Sequence, residues 1–167
     1  MLGIGLILAS IVAYLMLVPK KLEALVASTV PPAFDTVDAI IAENAKRYGV
    51  DPALIRAFIK VESDFNPNAV NPSDPSYGLM QIMPILAEDY GIVRDWRNVT
   101  GAEIAMIKLP STNVRIGTWH IARLLNHYPF DEAVQMYNVG ETGYKNGKRA
   151  SEYLAKITRW YNEYKPH

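Results

Sequence analysis

Cysteine is absent from the 167 residues, which excludes disulfides and thiol chemistry. An oxidising compartment is compatible with that absence but not implied by it. Net charge is absent as well, because 17 basic side chains balance 17 acidic ones. No whole-chain field then draws in nucleic acid or an acidic polymer, and no nucleic-acid partner is expected. Runs of one sign are also missing. The nearest, "KNGKR" at 145–149, reads as a solvated turn. Three histidines occur, His120, His127 and His167, and none has metal-ligand spacing with another. His120 and His127 share a helix face, where surface or core roles are the ordinary ones. Neither a metal nor another cofactor is expected, and there is no internal repeat or low-complexity tract.

What is present begins with a separate object. "MLGIGLILASIVAYLMLV" carries no side-chain charge from Met1 to Val18. A helix rises about 1.5 Å per residue, so this run just spans a hydrocarbon core of about 30 Å with help from its flanks. A cleaved signal peptide begins with a basic segment, and no basic side chain precedes the run. Lys20, Lys21 and Glu23 follow it before any plausible cleavage site, such as Ala27. An uncleaved transmembrane anchor over residues 1–19 is the preferred reading over a leader. A core helix that is apolar all round would need a larger protein about it. Residues 20–33 read as a linker ending in "STVPP", since paired prolines favour an extended connector. The remaining residues, 34–167, have the size of one domain.

That domain reads as short helices with punctuation. Asp35 is placed to cap a helix carrying Val37, Ile40, Ile41 and Ala45, stopped at Gly49. "DP" at 51–52 supplies a cap and a first-turn proline for a second helix to about Ser63. "NPNAVNPSDPSYG" is a polar connector. Pro84 opens a helix ending before Gly91, Thr112 to about His127 is helical by its spacing, Asp131 begins a short helix, and Ser151 to Tyr164 closes the chain. One short strand is possible around "YGLMQI". The fold class is mainly α, with at most a very small β element.

The second helix poses the chemical question. With Leu54 at zero and about 100° per residue, Val61, Leu54, Phe58, Ile55 and Ile59 form one apolar arc, with Arg56, Lys60 and Ser63 opposite. Glu62 falls inside the apolar arc, between Phe58 and Ile55. A long side chain in a last turn can snorkel to water, or can pair with a distant arginine. Against the first reading, a carboxylate at a helix C-terminus faces the wrong end of the dipole. The functional reading is a carboxyl in a poorly hydrated cleft, whose raised pKa keeps a proton available for general acid catalysis. Downstream, Gly78 and Gln81 follow the polar loop, and "MYNVG" at 136–140 sets Tyr137 and Asn138 beside a glycine turn. Amides and hydroxyls beside aromatic faces suit a sugar.

Glu62-Ser63, "GLMQIMP" at 78–84 and Tyr137-Asn138 together resemble, in order and spacing, the soluble lytic transglycosylase (SLT) family, relatives of goose-type lysozymes. The resemblance runs from about Asp35 to about Tyr164. It implies a lysozyme-like, mainly α fold with a groove for peptidoglycan glycan strands and Glu62 as the sole catalytic acid and base. It implies a substrate-binding set of Ser63, Asn71, Met80, Gln81, Tyr137, Asn138 and Tyr153. Two positions depart from the family pattern. Met136 stands where an alanine is common, and Asn71 stands near a serine that touches the substrate N-acetyl group, with Ser73 and Ser76 as nearby substitutes.

The implied reaction cleaves the β-1,4 bond between N-acetylmuramic acid and N-acetylglucosamine and closes a 1,6-anhydro ring. The alternatives are a goose-type hydrolase in which Asp64 or Asp74 activates water, and a non-catalytic glycan-binding component of a virion or secretion apparatus. A membrane-anchored scaffold without glycan affinity is a further class. The expected place of action is the cell wall in the periplasm or cell envelope, from a membrane anchor. Lys20-Lys21 complicate the orientation, because positive flanks favour the cytoplasmic side. Carriage to the wall by a phage particle or a secretion machine would resolve it.

Overall fold

A computed structural model describes residues 36–166. The anchor and linker expected over residues 1–33 lie outside the described residues. Among the described residues, no helix is long and apolar enough to cross a membrane.

The architecture is helical: α1 (Val37–Tyr48), α2 (Pro52–Ser63), β1 (Val70–Asn71), β2 (Ser76–Tyr77), α3 (Pro84–Asp89), a 3-10 turn (Trp96–Asn98), α4 (Gly101–Lys108), α5 (Pro110–His127), α6 (Phe130–Val139), α7 (Glu141–Lys145) and α8 (Ser151–Tyr164). The punctuation works locally as the residue types require. Gly49 ends α1 at φ 68°, and Asp51 caps α2 by accepting from the Ala53 amide at 2.8 Å. The α1 cap is Thr36, whose hydroxyl accepts from the Ala39 amide at 3.2 Å, so the capping falls one residue after the expected Asp35. Helix α4 was not legible as a periodic pattern. Its start is a reciprocal capping box between Thr100 and Glu103, a signal carried by two residues rather than by an apolar stripe.

Helix α2 is the axis of the core. Leu54, Ile55, Phe58 and Ile59 are each 3% exposed or less. Each fully buried side chain of this size contributes about 1.5–3 kcal/mol. Helix α8 packs along α2, α1 lies against α5, and α6 joins α5 to α8. Met136, at the position where an alanine was expected by resemblance, fills the α5–α6 junction with Leu124 and Ala133. The β element is a two-residue antiparallel pair, Val70 opposite Tyr77 and Asn71 opposite Ser76. The expected strand at "YGLMQI" is mostly a tight turn, closed by a bridge between Tyr77 and Ile82.

Candidate active site

Glu62 occupies the last turn of α2, and the chain leaves that helix abruptly. Asp64 and Phe65 both take left-handed backbone, φ 51° and 62°, which costs on the order of 1 kcal/mol or more at non-glycine residues. Asp64 thereby swings away from Glu62 to pair with Lys60, and its side chain is 74% exposed. Glu62 instead stays partly buried on the apolar side, beside a groove of about 700 Å³. Burial pushes its pKa from the ordinary 4.5 to about 7. A hydrogen bond from the Tyr153 hydroxyl to Oε1 pulls the other way and does not win.

Aromatic rings make the inner side of the surroundings apolar. Phe58, one helical turn before Glu62, meets Tyr137 edge-on at 4.7 Å and Tyr153 at 6.3 Å between centroids. Burial first, and the neighbouring Glu62 second, raise both phenols well above their ordinary pKa. They therefore remain protonated donors.

The loop from Tyr77 to Gln81 brings Gln81 to the groove, and three helices hold it. From α2, Ser63 Oγ donates to the Leu79 carbonyl at 2.8 Å. From α6, the Tyr137 hydroxyl donates to the Met80 carbonyl at 2.9 Å. From α5, Asn113 accepts from the Met80 amide at 2.7 Å and donates Nδ2 to the Tyr77 carbonyl at 2.7 Å and the Ile107 carbonyl at 2.9 Å. Gly78, at φ 76°, allows this approach: a Cβ there would stand 2.5 Å from Asn113 Nδ2. Gln81 itself sits at φ 47°. Its amide accepts from Ser76 Oγ and donates to the Gly78 carbonyl, both at 2.9 Å.

Of the residues singled out from sequence, Glu62, Asn71, Gln81, Tyr137 and Asn138 line the groove together. Ser63, Met80 and Tyr153 do not line it. The Met80 side chain is fully buried against Gly117, whose lack of a Cβ makes room for the thioether, and its amide and carbonyl are taken by Asn113 and Tyr137. Ser63 spends its hydroxyl on the Ile59 and Leu79 carbonyls. Tyr153 reaches the carboxyl from behind, on α8. Ser76 and Asp74 line the groove, whereas Ser73 and Asp64 do not.

Sequence reasoning missed Asn113, His120, Arg123 and Glu141. Asn113 had a signal of the same kind as Glu62, a polar residue in line with Gly117, Ile121 and Leu124 on the inner stripe of α5. His120 and Arg123 are neighbours one turn apart on α5, and Glu141 joins them only through the tertiary fold, since α6 packs on both α5 and α7. Among the described residues, no three of His, Asp and Glu stand together as a metal site.

Comparison with known proteins places this geometry. The sequence model of the transglycosylase SLT domain matches residues 39–160. A membrane-bound lytic murein transglycosylase C from Haemophilus ducreyi is 37% identical over 90 residues, 53% of this chain and 24% of the relative. The protein of that name from Actinobacillus pleuropneumoniae serotype 5b is 37% identical over 90 residues, with the same coverage of 53% and 24%. The chain thus spans 24% of the length of these curated relatives. In fold it is similar to an inactive mutant of the lytic transglycosylase Slt from Pseudomonas aeruginosa, with a TM-score of 0.51, 19% identity, and coverage of 75% of this chain and 22% of that one.

Proposed function

The chain belongs to the transglycosylase SLT domain family, and from that premise we propose that it is a peptidoglycan lytic transglycosylase. The observation that carries the reading is the carboxyl of Glu62, raised to about 7 by burial at the edge of a groove. A proton is thus present on it at neutral pH and is exchangeable within the same range.

Glu62 donates that proton to the glycosidic oxygen between N-acetylmuramic acid and N-acetylglucosamine. The oxocarbenium charge left on the muramic acid needs an anionic or nucleophilic partner, and the sugar's own N-acetyl oxygen supplies it, as in substrate-assisted glycosidases. Glu62, now a carboxylate, takes the proton of the C6 hydroxyl, whose oxygen bonds to C1 and closes the 1,6-anhydro ring. One bond breaks, one forms, no water is consumed, and Glu62 ends protonated. The tethered C6 hydroxyl acts at high effective concentration, so no second carboxylate is required. Tyr153 orients Oε1, while Asn71, Ser76, Gln81, Tyr137 and Asn138 present amide, hydroxyl and ring surfaces to the strand.

A second reading has one observation behind it: Asp74 lines the same groove. A hydrolase using Asp74 to activate water would leave reducing N-acetylmuramic acid ends. A reducing-sugar assay on digests of purified peptidoglycan decides between the two. Non-reducing products support the transglycosylase, and new reducing ends in proportion to cleavage overturn it.

We further propose that residues 1–19 anchor the domain in a membrane, that residues 20–33 tether it, and that it acts on the wall within the cell envelope. The relatives named membrane-bound support such a placement. A virion or secretion apparatus remains the alternative carrier, and a topology reporter fused after His167 in the native host separates them.

A further inference from the structure

Four carboxyl groups border the groove, those of Glu62, Asp74, Asp89 and Glu141, and among the described residues lining it Arg123 is the one cation. Electrostatics therefore leaves an anionic substituent of a bound strand a single place to go. Arg123 is also under-used. Its Nη2 stands 3.8 Å from Glu141 Oε2 and 3.3 Å from His120 Nδ1, and its buried Nε has no partner. Glu141 does not depend on it, because Tyr128 and Lys145 each donate to Oε1 at 2.8 Å. The guanidinium carbon lies 5.7 Å from the Trp119 ring centroid, a cation–π contact that uses none of its N–H donors. His120 supplies a neutral neighbour: burial, then Arg123, lower its pKa to about 4, with Glu141 opposing. Arginine has no acceptor, so Nδ1 accepts and Nε2 carries the proton, giving a second donor.

We propose that Arg123, assisted by His120, is a specificity determinant that holds a carboxylate borne by the side arm of the sugar strand. The inference rests on the glycan-cleaving reading above. A planar fork of N–H donors matches a carboxylate two bonds at a time. A multiply charged phosphate would be repelled by the four carboxyls around it. On muramic acid the carboxylate has two sources, the lactyl arm of a bare strand and the peptide attached to that arm.

The test measures binding by calorimetry to the full chain carrying Glu62→Gln, which leaves ligands intact, with and without Arg123→Met or Arg123→Lys. Three tetrasaccharides are compared: a neutral N-acetylglucosamine oligomer, a peptide-stripped muramic acid strand with free lactyl carboxylates, and the same strand bearing peptides. Arg123→Met should weaken the carboxylated strands by about tenfold or more, the usual scale for a hydrogen bond to a charged group. Arg123→Lys should recover part of the loss, and the neutral oligomer should change far less. A loss on the stripped strand alone identifies the lactyl carboxylate as the source, a loss on the peptide-bearing strand alone identifies the peptide carboxylates, and a loss on both shows that Arg123 takes either. Equal losses on all three ligands, or no loss on any, overturn the proposal. Should Arg123→Met not fold, a salt series on the Glu62→Gln chain decides, since affinity for carboxylated strands that does not fall with salt also overturns it. Binding through Arg123 in the Glu62→Gln chain together with no cleavage of the same strands by the chain with Glu62 intact refutes the transglycosylase reading alone, and binding to none of the three refutes both.

Discussion

Replacing Glu62 by glutamine should abolish wall lysis and yet stabilise the domain, and only at neutral and alkaline pH. The carboxyl titrates at about 7 in the fold against an ordinary 4.5. Between those values the folded chain binds more protons than the unfolded chain, so stability falls as pH rises. The contribution of the protonated carboxyl is fully present below 4.5 and is lost as pH passes through about 7. At about 1.4 kcal/mol for each tenfold in proton affinity, the wild-type chain loses about 3 kcal/mol over that window. Glutamine keeps the size, still accepts from Tyr153, and has no charge to desolvate. Thermal unfolding of both chains should therefore coincide within a few degrees at pH 4 and separate by roughly 10 °C at pH 8, with the variant higher. Equal melting temperatures at pH 8, or a less stable variant there, would refute the claim that Glu62 is held in a dry site. Lytic activity in the folded variant would refute its role in catalysis.

Tyr153→Phe removes a bond that favours the ionised carboxyl, so the fall of activity on the alkaline side should move up by roughly one pH unit; an unmoved or acid-shifted limb in a pH–rate profile contradicts it. Asn113→Ala strips partners from the Tyr77 and Ile107 carbonyls and the Met80 amide, and should cost about 3 kcal/mol or more in urea unfolding. A cost under about 1 kcal/mol would show that the loop is held without it. A chain beginning at Ala33 should be soluble, folded and active against purified peptidoglycan, and aggregation or loss of fold would place the first segment within the core.

How much of this was legible in the sequence follows from the range of the forces involved. Helices ended by local chemistry could be read to within a residue or two, as at Gly49, Asp51 and Pro84, because caps and prolines act on their own turn. Helix α4 could not be read from periodicity, because its start is a capping pair and one residue, Ile107, is buried. Glu62 was visible because a carboxyl within an apolar arc is locally anomalous. Met80 and Gln81 share one motif, yet one faces the core and the other the groove. That division depends on the left-handed turn at Gln81 and on Gly117 across the interface, neither of which alternation along the strand reveals. Tyr153 lies 91 residues from Glu62, so its bond to the carboxyl is a product of α8 packing on α2. The place of Glu141 beside Arg123 is likewise tertiary, since α6 and the fold about it bring α7 to α5.

The central claim is that one carboxyl, used twice, expels an alcohol and closes a ring without water. Digestion of purified peptidoglycan by the full chain in water labelled with heavy oxygen tests it most directly, with mass spectrometry of the released muropeptides. The account predicts products one water lighter than those of a hydrolase and carrying no label at the new muramic acid end. Heavy oxygen incorporated at that carbon in the main products would contradict it and make Asp74 the next residue to change.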